Sequence, residues 1–99
     1  MIIVTGSLTA RADTLDPLLA LSLAHVQRSR AEPGCLEHGV ALDAQEGSRL
    51  VFFERWADRE ALAVHFKVPA SREFAKQVAG LVASPPTLQV YDATLLPGR

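Results

Sequence analysis

Apolar and polar residues alternate with a period of two in four segments of the chain. In the first segment, Ile2, Val4 and Leu8 share one parity and Ile3 takes the other. Side chains alternate between the two faces of a β-strand, so this pattern predicts strands. The four predicted strands cover residues 2–10, 35–43, 49–56 and 87–96. A short glycine-containing connection joins the second strand to the third and predicts an antiparallel hairpin.

Three other segments repeat their apolar residues at helical spacing. Asp16 and Asp58 are predicted N-caps, and Pro17 suits a first helical position because its missing N–H has no partner there in any case. The predicted helices lie within residues 16–32, 58–67 and 71–83. The resulting order, βαββααβ, predicts an α+β fold of the ferredoxin-like type with an antiparallel sheet.

The third predicted strand is apolar on both of its faces. Leu50 and Phe52 share one parity, whereas Val51 and Phe53 share the other. An antiparallel sheet in an isolated two-layer domain usually exposes one face to water, so the second face needs a cover. Helices of the chain can shield one side only. The simplest cover for the other side is the sheet of an identical subunit, which predicts a homodimer.

Composition limits the classes of protein to which the chain can belong. Ninety-nine residues with 48% apolar content predict a single domain over residues 1–99. The net charge is −1, and the basic residues are scattered, which favours neither nucleic acid nor a membrane surface as a partner. Cys35 is the only cysteine, so no intramolecular disulfide can form. Without a recognisable leader or an apolar run of spanning length, we expect a cytoplasmic protein.

Most of the candidate chemistry falls at the junction 53–66, where the third strand passes into the second helix. Period two places Glu54 and Trp56 on one face of the strand, and helical spacing brings His65 to the same side. Imidazole titrates near neutral pH, which suits a general base. The plain alternative for His65 is a core histidine that ties down a neighbouring group.

The other two histidines carry weaker signals. His38 shares its parity with Leu36, Val40 and Leu42, which predicts a position on an apolar face, where it lines a cavity or fills it. His25 falls towards the polar side of the first helix, so we expect it to be solvated. The three histidines come from different elements, and no His-x-x-x-His pair or second cysteine accompanies them. No metal site is predicted from this spacing.

The segment Glu32-Pro33-Gly34-Cys35-Leu36, followed by Glu54-x-Trp56-x-Asp58 and then His65, resembles the antibiotic biosynthesis monooxygenase family, which includes quinol monooxygenases. The resemblance covers nearly the whole chain. It implies a dimeric α/β barrel, in which two sheets pack face to face and each subunit keeps a pocket between sheet and helices. It also implies oxidation of a small polyphenol, such as a hydroquinone or an anthrone, by O2 without any cofactor.

The resemblance also bears on His65, which stands at the recurring histidine position of that family, whereas the other candidates rest on their residue types and positions. His65 takes the catalytic role, as a base or as a stabiliser of the substrate anion. The candidate substrate-binding residues are Trp56, His38, Phe53, Phe66, Phe74 and Glu54. Each has a structural alternative: the aromatic residues as core, and Glu54 as half of an ion pair rather than as the group that orients His65.

Two rival functions remain open on the sequence. The first is a non-catalytic protein that binds a small molecule, or a stress-related protein, on the same dimeric scaffold. The second is an enzyme of the isomerase or lyase type, which would use His65 for proton transfer without O2.

Overall fold

A computed structural model describes residues 1–98, and within them the chain forms four strands and three helices. The elements are β1 (Ile2–Thr9), α1 (Leu15–Ser29), β2 (Cys35–Leu42), β3 (Arg49–Trp56), α2 (Arg59–Lys67), α3 (Pro69–Ala79) and β4 (Thr87–Asp92). The predicted order βαββααβ and the ferredoxin-like fold are confirmed. Arg99, the last residue of the predicted domain, lies outside the described residues.

The four strands form one antiparallel sheet in the order β2-β3-β1-β4. The central strands β1 and β3 pair along their whole length, from Ile2 opposite Trp56 to Thr9 opposite Arg49. α1 packs on β2 and α3, and α2 packs on β3 and α3. Residues 1–98 contain no helix with the length and apolar composition that a membrane span requires.

The core lies between the sheet and the helices, in two groups of buried side chains. The larger group, here called the apolar cluster, consists of Leu8, Ala10, Leu18, Leu50 and Val78. The smaller group lies at the opposite end of the central strands and consists of Ile2, Val4, Trp56 and Leu62. Between them, the buried face of the sheet carries polar and ionisable side chains, which form the site described below.

Several element boundaries differ from the predictions, and three of these differences have an identifiable cause. α1 begins at Leu15 with Thr14 at the N-cap, so Asp16 lies inside the first turn and caps nothing. α3 begins at Pro69, two residues earlier than predicted, because proline fits the first helical position. β4 ends at Asp92, since its pairing with β1 stops opposite Ile2. The predicted N-cap Asp58 is confirmed and accepts a hydrogen bond from the backbone N–H of Ala61 at 2.8 Å.

A bulge at the start of β2 changes which side chains share a face. Cys35 pairs with Trp56 and Glu37 with Arg55, so Leu36 is left as an extra residue on its strand. Leu36 is exposed, whereas His38 is buried. The prediction that both share one apolar face is therefore wrong, because the bulge shifts the alternation by one residue.

The face of the sheet that points away from the helices carries apolar side chains. Val51 is half-buried, and Phe53 and Tyr91 are 39% and 44% exposed. The two apolar faces predicted for β3 are present, with Leu50 and Phe52 towards the helices and Val51 and Phe53 away from them. Within the described part of the chain, helices cover the first of these faces and leave the second open.

Candidate functional site

A cavity of about 330 Å³ opens between the sheet and the helices α2 and α3. Its floor comes from β1 and β3, and its far wall comes from the edge strand β4. The side chains that line it are mostly apolar, with a small polar set. The polar and ionisable ones are Ser7, His25, Glu54, His65, Ser71, Arg72 and Thr87, and the aromatic ones are Phe52, Phe66 and Phe74.

His65 enters this cavity from the last turn of α2. Its side chain is 3% exposed, and its Nδ1 lies 2.8 Å from Oε1 of Glu32, in the loop after α1. A carboxylate partner favours the tautomer in which Nδ1 carries the proton, and this leaves Nε2 with a free lone pair. Glu32 therefore orients the imidazole and sets which nitrogen is basic.

A close contact between the loop and α2 positions this pair. Gly34 has φ +80°, and a Cβ at this residue would lie 2.6 Å from Cβ of Ala61 on α2. The backbone conformation and the lack of space both require glycine here. The N–H of Ala57 also donates to the carbonyl of Gly34 at 2.8 Å. These contacts hold the loop that carries Glu32 against the helix that carries His65.

Glu54 is a buried carboxylate on β3 at the inner end of the cavity. Nε1 of Trp56 donates to its Oε1 at 2.9 Å, and Nε2 of His38 lies 3.4 Å from the same oxygen. Burial alone would raise the pKa of Glu54, but the neighbouring His38 and the hydrogen bond from Trp56 outweigh burial and hold the pKa below its usual value. Glu54 is therefore ionised near neutral pH.

His25 lies on the buried face of α1, so the prediction that it is solvated is wrong. Its ring stacks on Phe74 with a centroid distance of 4.1 Å and an interplanar angle of 5°. Burial, followed by the proximity of His38 and His65, lowers the pKa of His25 to about 4. His25 is therefore neutral near pH 7, with a lone pair on one ring nitrogen.

The three histidines of the chain meet at this point, and together they are here called the histidine cluster (His25, His38 and His65). The ring centroids lie 5.3, 5.3 and 5.7 Å apart. Each residue offers one ring nitrogen to a set in which all atoms lie within 4.8 Å of one another. Among residues 1–98, Nδ1 of His25 and both ring nitrogens of His38 have no hydrogen-bond partner.

The structure brings most of the predicted site residues together around this cavity. His65, Glu54, Phe66 and Phe74 line the cavity. His38 and Trp56 lie behind it in the interior, and the ring of Trp56 is 4.6 Å from that of His65.

Two expectations about these residues need correction. Glu54 contacts His38 and Trp56, whereas the carboxylate that orients His65 is Glu32. Phe53 does not line the cavity, because its parity on β3 places it on the opposite face of the sheet.

Sequence reasoning missed His25, Glu32 and Arg72 as components of the site. Glu32 begins the segment 32–36 on which the family resemblance partly rests, so the sequence did contain a signal for this residue. Arg72 stands in the first turn of α3 and lines the cavity. Apolar periodicity does not identify Arg72, because its side chain is exposed, as arginine side chains usually are.

Comparison with known proteins identifies the family. The family model for antibiotic biosynthesis monooxygenases matches residues 1–77. A Synechocystis protein described only as uncharacterised, sll1783, is 34% identical over 90 residues, which are 91% of this chain and 61% of that protein. The chain thus spans less than two thirds of that relative's length.

Two solved structures share the fold over almost the whole chain. The Mycobacterium tuberculosis protein Rv0793, provisionally named a monooxygenase, is 34% identical over 80 residues, 81% of this chain and 78% of that protein. Its structure superposes with a TM-score of 0.90 at 30% identity and 98% coverage of both chains. A Deinococcus radiodurans protein gives a TM-score of 0.94 at 24% identity, with 100% and 98% coverage, and supports the fold alone. With its family match and its 34% identity to Rv0793, the chain belongs to the antibiotic biosynthesis monooxygenase family.

Proposed function

We propose that the protein oxidises a small polyphenol with O2, without a cofactor, in the cavity between sheet and helices. The observation that carries this proposal is His65, a buried imidazole on the cavity wall with Nδ1 held by Glu32 at 2.8 Å. That arrangement leaves Nε2 as the nitrogen available to accept a proton from a bound phenol. Membership of the family supports a monooxygenase-like role.

The shape and lining of the cavity fit a planar aromatic substrate. Its volume of about 330 Å³ lies in the range of small-molecule sites, and Phe52, Phe66 and Phe74 supply flat apolar walls. Arg72 brings a positive charge to the same cavity. A guanidinium favours the phenolate over the phenol, so deprotonation by His65 and charge stabilisation by Arg72 act in the same direction.

The substrate anion supplies all the electrons that the reaction needs. A hydroquinone passes two electrons and two protons to O2 and gives the quinone and H2O2. An anthrone-like CH2 group becomes a carbonyl: one oxygen atom of O2 is inserted, and the other leaves with the two hydrogens as water. In both reactions, the protein binds the substrate, removes a phenolic or enolic proton and excludes water.

Oxygen uptake with naphthohydroquinones and anthrones tests this proposal. We expect wild-type protein to exceed the buffer rate, and His65→Ala to lower kcat/KM by roughly 100-fold or more, the usual contribution of a general base. Lys76→Ala, exposed on α3 and outside the cavity, is the matched control and should retain the wild-type rate. Wild type no faster than buffer refutes the proposal. Turnover that is unchanged without O2 would instead assign the cavity to an isomerase or lyase.

We also propose that the uncovered face of the sheet pairs with a second copy of the chain in the cytoplasm. Val51, Phe53 and Tyr91 support this, because they present apolar area that no helix within residues 1–98 covers. A two-fold dimer would bury the same patch of both copies. Light scattering should give twice the chain mass of 10.7 kDa, and Phe53→Asp should return it to the monomer value. A wild-type monomer at micromolar concentration contradicts the pairing.

A further inference from the structure

The proposed deprotonation uses one ring nitrogen of the histidine cluster, Nε2 of His65, and the cluster contains others. His25, His38 and His65 are 6%, 2% and 3% exposed, so none of them is a surface histidine. They come from α1, β2 and α2, and the fold brings them together at the cavity, which His25 and His65 line, with His38 behind them. Proton removal by His65 needs Glu32 as its partner, and it leaves His25 and His38 without a role.

Several buried ring nitrogens of this cluster lack a hydrogen-bond partner among residues 1–98. Nδ1 of His25 and Nδ1 of His38 have none, and Nε2 of His38 has only the carboxylate of Glu54 near it, at 3.4 Å. Buried polar atoms of native proteins are nearly always hydrogen-bonded, so such a concentration needs an explanation. A metal ion that accepts one lone pair from each ring would give both His25 and His38 a partner.

The donor set matches a transition metal in number, chemistry and spacing. Three imidazoles with an open position towards a cavity are a common ligand set for Zn²⁺. Tetrahedral zinc places its nitrogen ligands about 3.3 Å apart. The three candidate ligand atoms already lie within 4.8 Å of one another, so ring rotations and shifts of about an ångström would close the set around an ion.

The carboxylates that contact the histidines are also compatible with a bound metal ion. Nδ1 of His65 is bonded to a carboxylate, Glu32, and this partner commonly orients a metal-binding histidine through its second nitrogen. The carboxylate of Glu54 lies 3.4 Å from Nε2 of His38. These two carboxylates would balance the charge of a divalent cation.

We propose that His25, His38 and His65 form a binding site for a divalent transition metal ion of the Zn²⁺ class, with Glu32 and Glu54 as outer partners. The fourth coordination position faces the cavity. Because Nδ1 of His65 is held by Glu32, the metal takes Nε2, the same lone pair that the proposed deprotonation uses. Metal binding and proton removal by His65 therefore exclude each other, and added Zn²⁺ is expected to inhibit oxygen uptake.

Calorimetric titration of chelator-treated protein with Zn²⁺ tests the site independently of any activity. We expect one ion per chain with a Kd of about 1 μM or tighter. His25→Gln, His38→Gln and His65→Gln should each weaken binding roughly 100-fold or more. Glu32→Gln should weaken it by roughly 10- to 100-fold, as expected for an outer partner. Co²⁺ should give the intense visible absorption of a four-coordinate site.

Cys35 provides the matched control, because it is the one cysteine of the chain and packs against the group that contains Trp56, whose ring is close to those of His38 and His65. Cys35→Ser should bind Zn²⁺ as the wild type does. Should a glutamine variant fail to fold, histidine-ring NMR of the wild type decides the question, since the chain has three histidines and all three should shift on adding Zn²⁺. No stoichiometric binding, ring signals that stay in place, or undiminished affinity in folded glutamine variants would overturn the proposal, whatever the oxygen-uptake result.

Discussion

The two ends of the buried layer under the helices are built from different chemistry, although the same elements supply both. On α1, Leu18 at one end is followed on the same face by Ser22, His25 and Ser29. On β3, Leu50 and Phe52 give way to Glu54 and Trp56. One end thus forms the apolar cluster. The other, here called the polar end, holds the histidine cluster and Glu54 next to the smaller apolar group that contains Trp56.

Within this continuously buried layer, the apolar cluster stabilises the fold, whereas the polar end carries the candidate chemistry. The apolar cluster gains free energy from apolar area removed from water and from close packing. The polar end keeps Ser22 Oγ and several imidazole nitrogens buried without partners, which costs free energy. We expect substitutions at the two ends to change the free energy of unfolding by different amounts, and in one case in the opposite direction.

The largest effect is expected from Leu18→Ala in the apolar cluster. Leu18 is fully buried, so its truncation should lower the free energy of unfolding by about 3–5 kcal/mol through lost burial and a residual cavity. Urea denaturation measures this change. Oxygen uptake per folded molecule should be retained, because Leu18 does not line the cavity. A loss below about 1 kcal/mol would show that the apolar end is not the stabilising one.

A smaller effect is expected from Trp56→Phe at the polar end. The substitution removes the N–H that donates to Glu54 and leaves a buried carboxylate short of a donor, at a cost of about 1–3 kcal/mol. The same substitution in a Glu54→Gln background should cost less, because the carboxylate is gone. A double-mutant cycle by urea denaturation gives the coupling, and a value near zero would mean that the charge of Glu54 does not strengthen this hydrogen bond.

The smallest effect is expected from two serines on the buried face of α1, with a different outcome for each. Ser22 Oγ has no partner among residues 1–98, so Ser22→Ala should raise the free energy of unfolding by about 0.5–1 kcal/mol. Ser29, equally buried, donates to the carbonyl of His25 at 2.7 Å, so Ser29→Ala should lower it by up to about 1 kcal/mol. Thermal unfolding of both variants compares them directly. Equal shifts would remove the distinction between a satisfied and an unsatisfied hydroxyl.

The same contrast explains how far the sequence predicts the fold. Apolar periodicity places all seven elements, because strands and helices with one buried face repeat at periods of 2 and 3.6. It also identifies the two apolar faces of β3. Periodicity assigns Leu36 to the wrong face of β2, because a bulge adds one residue to the strand and the sequence shows no sign of it.

The candidate site was less predictable, since its polar members follow no periodicity. His25 lies seven residues after Leu18 on the buried face of α1, but a histidine beside arginines is indistinguishable in sequence from a solvated one. The pairing of His65 with Glu32 joins residues 33 positions apart, and its geometry depends on the Gly34 contact with α2. Only the family resemblance drew attention to this segment.

The edge strand β4 has a consequence for how this cavity can evolve. Leu88 forms part of the cavity wall and is 57% exposed, and every other residue of β4 is exposed as well. Substitutions at such positions usually change stability by no more than about 0.5 kcal/mol. Selection can therefore reshape the wall that meets a substrate while the histidines and the apolar cluster stay fixed. Divergence of substrate preference among relatives should concentrate in this strand and the turn before it.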